Sequence, residues 1–167
     1  MITEEEFSDL KKRVEKLEQK IQELTERPPK ATFISSYEQK IEKFAESIGI
    51  TIEKLKNVVE IDFDNQDIFI LKPITGKNEE EKQLKSSLII LTIYKNIFGE
   101  NEIFSQKLRE SLKKLGIKSL INLSTNLSKY KQFIIPKGKR SSKKYKYMLT
   151  LPGETKGKEL IKELSEK

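Results

Sequence analysis

The 167-residue chain contains no cysteine, no histidine and no tryptophan. Without thiols there are no disulfides, Cys/His zinc sites or thiol nucleophiles, and without imidazole the usual proton carrier near neutral pH is missing. Hydrolytic and redox chemistry are thereby disfavoured. No phosphate-binding loop, nucleophile–base pair or cluster of metal ligands can be read in the chain, so it is expected to be no enzyme, with no catalytic residue, no metal and no cofactor. Long apolar runs are also lacking. The densest, "SLIILTIY" at 87–94, is far shorter than the roughly 20 residues that cross a bilayer. No basic-then-apolar segment opens the chain, and a cytoplasmic location without membrane contact is expected.

One absence is local. Between Glu110 and Glu154 lie 43 residues with eleven Lys and Arg and neither Asp nor Glu. The net charge of +7 hides this partition: residues 1–36 sum to −1, residues 37–83 to −4 and residues 84–167 to +12. The C-terminal half suits a polyanion, while the N-terminal half would be repelled by one.

What is present falls into segments. From Phe7 the apolar residues run Phe7, Leu10, Val14, Leu17, Ile21 and Leu24, alternating in steps of three and four with polar residues between. This is a heptad seam whose branched and leucine positions favour a parallel two-stranded coiled coil, and these six residues are expected to form a homodimer. An amphipathic helix lying on its own domain is the alternative. Arg27-Pro28-Pro29 should end that helix. The predicted organisation is a dimerisation helix at 1–27, a linker at 28–36, an acidic helix-helix-hairpin module at 37–77 and a nucleic-acid-binding domain at 78–167.

In the acidic module a helix is expected from about Ser36, with Tyr37, Ile41, Phe44, Ala45 and Ile48 on its apolar side. Thr51 then caps a short second helix, and a hairpin follows around "EIDFDNQDIFILKP". Asp62, Asp64 and Asp67 suggest a calcium loop, but the position that demands Gly is Asp67 and the one that demands Glu is Pro73. A solvated turn is the better reading, and the module remains a possible surface for a protein partner.

From Asn78 the pattern predicts a long central helix to Phe98, a short strand at Ile103 and Phe104, a helix capped by Ser105, the turn "GIKS" and a helix over 120–130. A strand at 133–136 follows, then the cationic tip "KGKRSSKK" and a returning strand placing Tyr145, Tyr147, Leu149 and Leu151 on one side. Pro152-Gly153 should break that strand ahead of a last helix. The fold class is mainly α with small β-hairpins, α+β. The stretch "SQKLRESLKKLGIKSLINLSTNLSKYKQFIIPKGKRSSKKYKYMLTLPGE" resembles the winged helix-turn-helix family of DNA-binding domains, over about half the chain. With the N-terminal seam, the whole is similar to small archaeal DNA-binding proteins.

Winding residues 120–130 as a helix buries Leu120, Leu123, Leu127 and Tyr130 and displays Ile121, Asn122, Thr125, Ser128 and Lys129. Asn can pair with adenine, Lys with guanine, and Thr or Ile can touch a thymine methyl. Such residues also occur on ordinary solvated helix faces. Lys131, Lys137, Lys139, Arg140, Lys143, Lys144 and Lys146 complete the expected DNA-binding set. The resemblance implies a loop lying along phosphates or entering the minor groove with Arg140 as the insert. A nucleoid-associated, dimeric regulator or genome-organising protein follows from this reading. The rivals are an RNA- or ribosome-associated factor and a protein-interaction adaptor.

Overall fold

The computed structural model describes residues 4–25 and 30–167 and divides into two compact units, Met1–Gln39 and Lys40–Lys167. Among the described residues the architecture is mixed α+β, with seven α-helices and two small antiparallel sheets. No helix among them is long and apolar enough to cross a membrane.

In the first unit, α1 (Glu4–Thr25) carries the apolar stripe in its expected place. Phe7, Leu10, Val14, Leu17 and Ile21 are all exposed, at 48–68%. The side chain of Leu24 and the stop at Arg27-Pro28-Pro29 lie outside the described residues. Helix α2 (Lys30–Ile48) begins earlier than the sequence suggested, so residues 30–36 are helical and not a linker. No Gly or Pro interrupts "KATFISS", and nothing in it opposes a helix.

The second unit contains the remaining elements. Ile41, Phe44, Ala45 and Ile48 on α2 are buried. Thr51 caps α3 (Ile52–Lys56), accepting a hydrogen bond from the Lys54 amide at 3.3 Å. Strands β1 (Val59–Asp62) and β2 (Asp67–Ile70) pair as the predicted hairpin. Asp62 sits at its turn as a hydrogen-bond acceptor, for the amides of Asp64 and Asn65 at 3.1 Å each and the Asn65 side chain at 2.8 Å. These bonds hold its carboxyl below the usual range. Local turn bonds thus satisfy Asp62 as the expected turn former.

Helix α4 (Glu79–Ile93) occupies the centre, with Asn78 as its cap and every residue from Ser86 to Ile93 buried. It continues as one wider, π-type turn over Tyr94–Phe98 before Gly99 ends it. Helix α7 (Leu151–Ser165) lies against α4, and Gly157 permits the approach. A methyl group there would stand 2.0 Å from Thr92 Oγ1 and 2.8 Å from the Leu88 carbonyl.

Strand β3 (Glu102–Phe104), helix α5 (Ser105–Lys114), helix α6 (Leu123–Ser128) and strands β4 (Ile134–Lys137) and β5 (Lys146–Leu149) follow α4 in that order. The second sheet has the order β3-β5-β4, antiparallel throughout. Ile103, Ile134, Tyr147 and Leu149 form its buried face. Phe104 and Ile135 are exposed on the other.

Several expectations are corrected here. Phe104, not Ser105, stands at the N-cap of α5, without a side-chain cap, and Ser105 is the first helical residue. Leu151 is not on the buried side of the returning strand, because it opens α7 and is 77% exposed. Pro152-Gly153 does not separate strand from helix but lies in the first turn of α7. Proline is tolerated there because its missing N–H needs no partner, and Thr150 Oγ1 accepts from the Gly153 amide at 3.0 Å. The boundary drawn at residues 77 and 78 falls within one compact unit. The Tyr94 hydroxyl donates to the Gln66 carbonyl at 2.7 Å, and Lys114 pairs with Asp67, tying hairpin to C-terminal elements.

Candidate nucleic-acid interface

Helix α6 is shorter than expected. It spans six residues, Leu123–Ser128, with Ile121 and Asn122 in the turn before it and Lys129 and Tyr130 in the turn after. Gly116 adopts φ 78°, a left-handed conformation that suits glycine, and closes α5 ahead of "IKS". Leu120, Leu123 and Leu127 are buried, as the winding required, but Tyr130, beyond the end of the helix, is only half-buried.

A short helix with mediocre formers needs tertiary support. Three residues outside the helix supply it, none of which sequence reasoning had singled out as site residues. Arg109 on α5 donates to the Leu120 carbonyl and to Ser124 Oγ, the latter at 3.2 Å. The buried Tyr147 hydroxyl donates to the same Ser124 oxygen at 3.0 Å. Gln83 on α4 donates to the Ser119 carbonyl and accepts from Asn126 Nδ2 at 2.9 Å. Burial raises the Tyr147 pKa, keeping it a neutral donor. Gln83 sits among the polar residues Lys82, Lys85, Ser86 and Ser87, and nothing in that stretch marks it out. The partnership of Arg109 with Ser124 joins two elements and leaves no local trace.

Supported in this way, the helix region shows Ile121, Asn122, Thr125 and Lys129 to solvent, with Ser128 half-buried. Ile121 is 90% exposed, and the Asn122 side chain makes no capping bond. The cationic loop meets this surface. Arg140 donates to Ser128 Oγ at 3.1 Å, to Thr125 Oγ1 at 3.4 Å and to the Ser124 carbonyl at 3.5 Å. Arg140 is therefore laid on α6, not extended from the loop tip as a minor-groove insert would be. Its acceptors are neutral oxygens, so its charge is left uncompensated by them. Among the described residues, Lys131, Lys139, Arg140, Lys143 and Lys144 take part in no ion pair with a carboxylate.

Three of the predicted cations are placed differently. Lys137 and Lys146 are directly opposite each other across β4 and β5, and both pair with Glu102, Lys146 at 3.4 Å. Alternation along β5 turns Lys146 to the face opposite Tyr147, away from the Ser124 contact. Lys146 instead stands 4.6 Å over the Phe104 ring. Lys129 pairs with Glu80 at 2.6 Å, and the Tyr130 hydroxyl donates to the same carboxylate at 2.8 Å. Hydrogen bonds from Lys129 and Tyr130 lower the Glu80 pKa, as the bond from Lys137 lowers that of Glu102. Solvent-exposed pairs of this kind are weak, so an external anion can exchange for them. Tyr145 and Tyr147 are buried, packed edge to face 5.2 Å apart, and offer no stacking surface.

The candidate surface thus divides into a part where Thr125, Ser128 and Arg140 meet and the loop carries Lys139, Lys143 and Lys144, and a separate sheet face bearing Lys137 and Lys146. Comparison with protein-family models, curated proteins and solved structures returned no match.

Proposed function

We propose that this chain is a winged helix-turn-helix protein that binds double-stranded DNA as a homodimer. In this reading α6 and the turn before it face the major groove, and the β4–β5 loop follows the phosphates. The observation that carries the reading is the contact of Arg140 with Thr125 and Ser128, which joins the polar helix to the cationic loop. The order α4-β3-α5-α6-β4-β5, with sheet order β3-β5-β4, supports it as the arrangement a helix-turn-helix with one wing requires. Five cations without carboxylate partners favour a polyanion, and the hydroxyl and amide groups of Asn122, Thr125 and Ser128 suit base edges. Dimerisation rests on the exposed stripe of α1, whose leucine and branched positions fit a parallel pair. Paired chains imply two half-sites in inverted repeat. A regulator and a genome-organising protein are both served by this surface.

Fluorescence anisotropy with a labelled random-sequence duplex, competed by RNA, tests the proposal. Duplex DNA should bind at least about tenfold more tightly than structured or single-stranded RNA. The opposite preference would make the chain an RNA-associated factor. Absence of binding at low salt would make it an adaptor for an acidic protein.

A further inference from the structure

At 90%, Ile121 has the highest exposure of any large apolar side chain among the described residues. Leu120 and Leu123 on either side are buried, so the chain turns two leucines into the core and leaves Ile121 and Asn122 between them in water. The Asn122 side-chain amide bonds to no other group of the protein. The backbone beneath the pair is held at several points. The Ser119 and Leu120 carbonyls accept from Gln83 and Arg109, Leu120 also from the Leu123 amide at 3.2 Å, and the Asn122 carbonyl accepts from the Asn126 amide at 2.8 Å. Such anchoring fixes where the two free side chains project.

A single exposed apolar residue is ordinary. Here it shares an anchored turn with an unpartnered carboxamide, and Thr125, one helical turn further on, is a residue that Arg140 reaches at 3.4 Å. Burial explains neither side chain. In the major groove an A·T pair offers adenine N7 as acceptor and N6 as donor, which match the two ends of a carboxamide, and a thymine 5-methyl, which takes apolar contact. Consecutive Cα atoms stand about 3.8 Å apart, close to the roughly 3.4 Å between stacked base pairs. We propose that Ile121 seats on a thymine 5-methyl and Asn122 pairs with the adenine of the adjoining A·T pair, an assignment that rests on the duplex-binding reading and narrows it to sites with adjacent A·T pairs. Cytosine and uracil both lack that methyl, so the same contact disfavours G·C pairs and RNA.

Fluorescence anisotropy of the full chain with three forms of one A·T-rich duplex tests this: unmodified, with deoxyuridine for every thymine, and with 7-deazaadenine for every adenine. The first replacement removes the major-groove methyl, and the second removes the N7 acceptor. The wild type should bind the deoxyuridine duplex about fourfold more weakly, the loss of one buried methyl. It should bind the 7-deazaadenine duplex about fivefold more weakly, the loss of one hydrogen bond. Ile121→Ala should abolish the first difference and keep the second, and Asn122→Ala should do the reverse. Since neither side chain is buried, both variants should unfold at the wild-type temperature. Equal binding of all three duplexes by the wild type, or differences that survive the matching substitutions, would overturn the assignment while duplex binding stood. Binding to none of the three would remove both.

Discussion

Arg140 illustrates how much one side chain decides. A guanidinium can reach Ser128, Thr125 and the Ser124 carbonyl together because its donors are spread over a planar fork, whereas an ammonium concentrates its charge at one point. Arg140→Lys is therefore expected to lose most of what Arg140→Ala loses in duplex affinity, about tenfold in either case. Alanine at Lys139, Lys143 and Lys144 should weaken binding to every sequence alike. Alanine at Asn122 or Thr125 should instead change preference between sequences. Anisotropy on two unrelated duplexes separates the two patterns, and the reverse assignment would contradict the division between loop and helix. Arg109 and Ser124 make a complementary point. Arg109 lies beneath α6 and Ser124 is on the helix's buried side, so their substitution acts on stability before it acts on binding.

At the level of elements, legibility followed periodicity. Helix α1 with its apolar stripe, the hairpin β1–β2 and the strand pairing β4–β5 were readable because a period of two or 3.6 ran through enough residues, and α4 because a long apolar run follows an Asn cap. Helix α6 was overestimated because "LINLSTNLSKY" keeps a helical apolar spacing beyond the six residues that form a helix, and tertiary bonds set its ends. The start of α7 was misread because Pro-Gly signals a break, yet after a Thr cap the same pair opens a helix. The wide turn at Tyr94–Phe98 had no signature, as it is held by contacts from distant residues. Glu154 of α7 is among them. Burial alone would raise its pKa, but bonds from Lys95, Lys158 and Asn96 lower it to about 2. A folded-state pKa below the ordinary value means stability that is present above about pH 4.5 and lost as pH falls toward 2. Thermal unfolding should show this loss, on the order of 2 kcal/mol. Glu154→Gln should be less stable at neutral pH by a similar amount and flatter across the acid range.

The charge of the whole molecule is less one-sided than its sequence. The acid-free stretch between Glu110 and Glu154 receives carboxylates from outside it, Asp67 at Lys114, Glu80 at Lys129 and Glu102 at Lys137 and Lys146. Sequence separations of 35 to 49 residues hid these pairings. Among the described residues, the cations of this stretch that pair with no carboxylate are Lys113, Lys118, Lys131 and, in the loop that Arg140 links to α6, Lys139, Arg140, Lys143 and Lys144. The N-terminal helix carries the other whole-molecule property. Leu17→Lys places a charge in the middle of the exposed stripe and should give monomers by analytical ultracentrifugation. An unchanged sedimentation mass would remove the stripe from the account of assembly. The most direct test of the central claim, that the polar helix and the cationic loop are one duplex-binding surface, is amide NMR of the full chain titrated with a short DNA duplex. Shifts should cluster at residues 121–131 and 138–145 and move together through the titration. Duplex binding that shifts the outer sheet face around Phe104 and Ile135, while leaving those two segments unmoved, would contradict it.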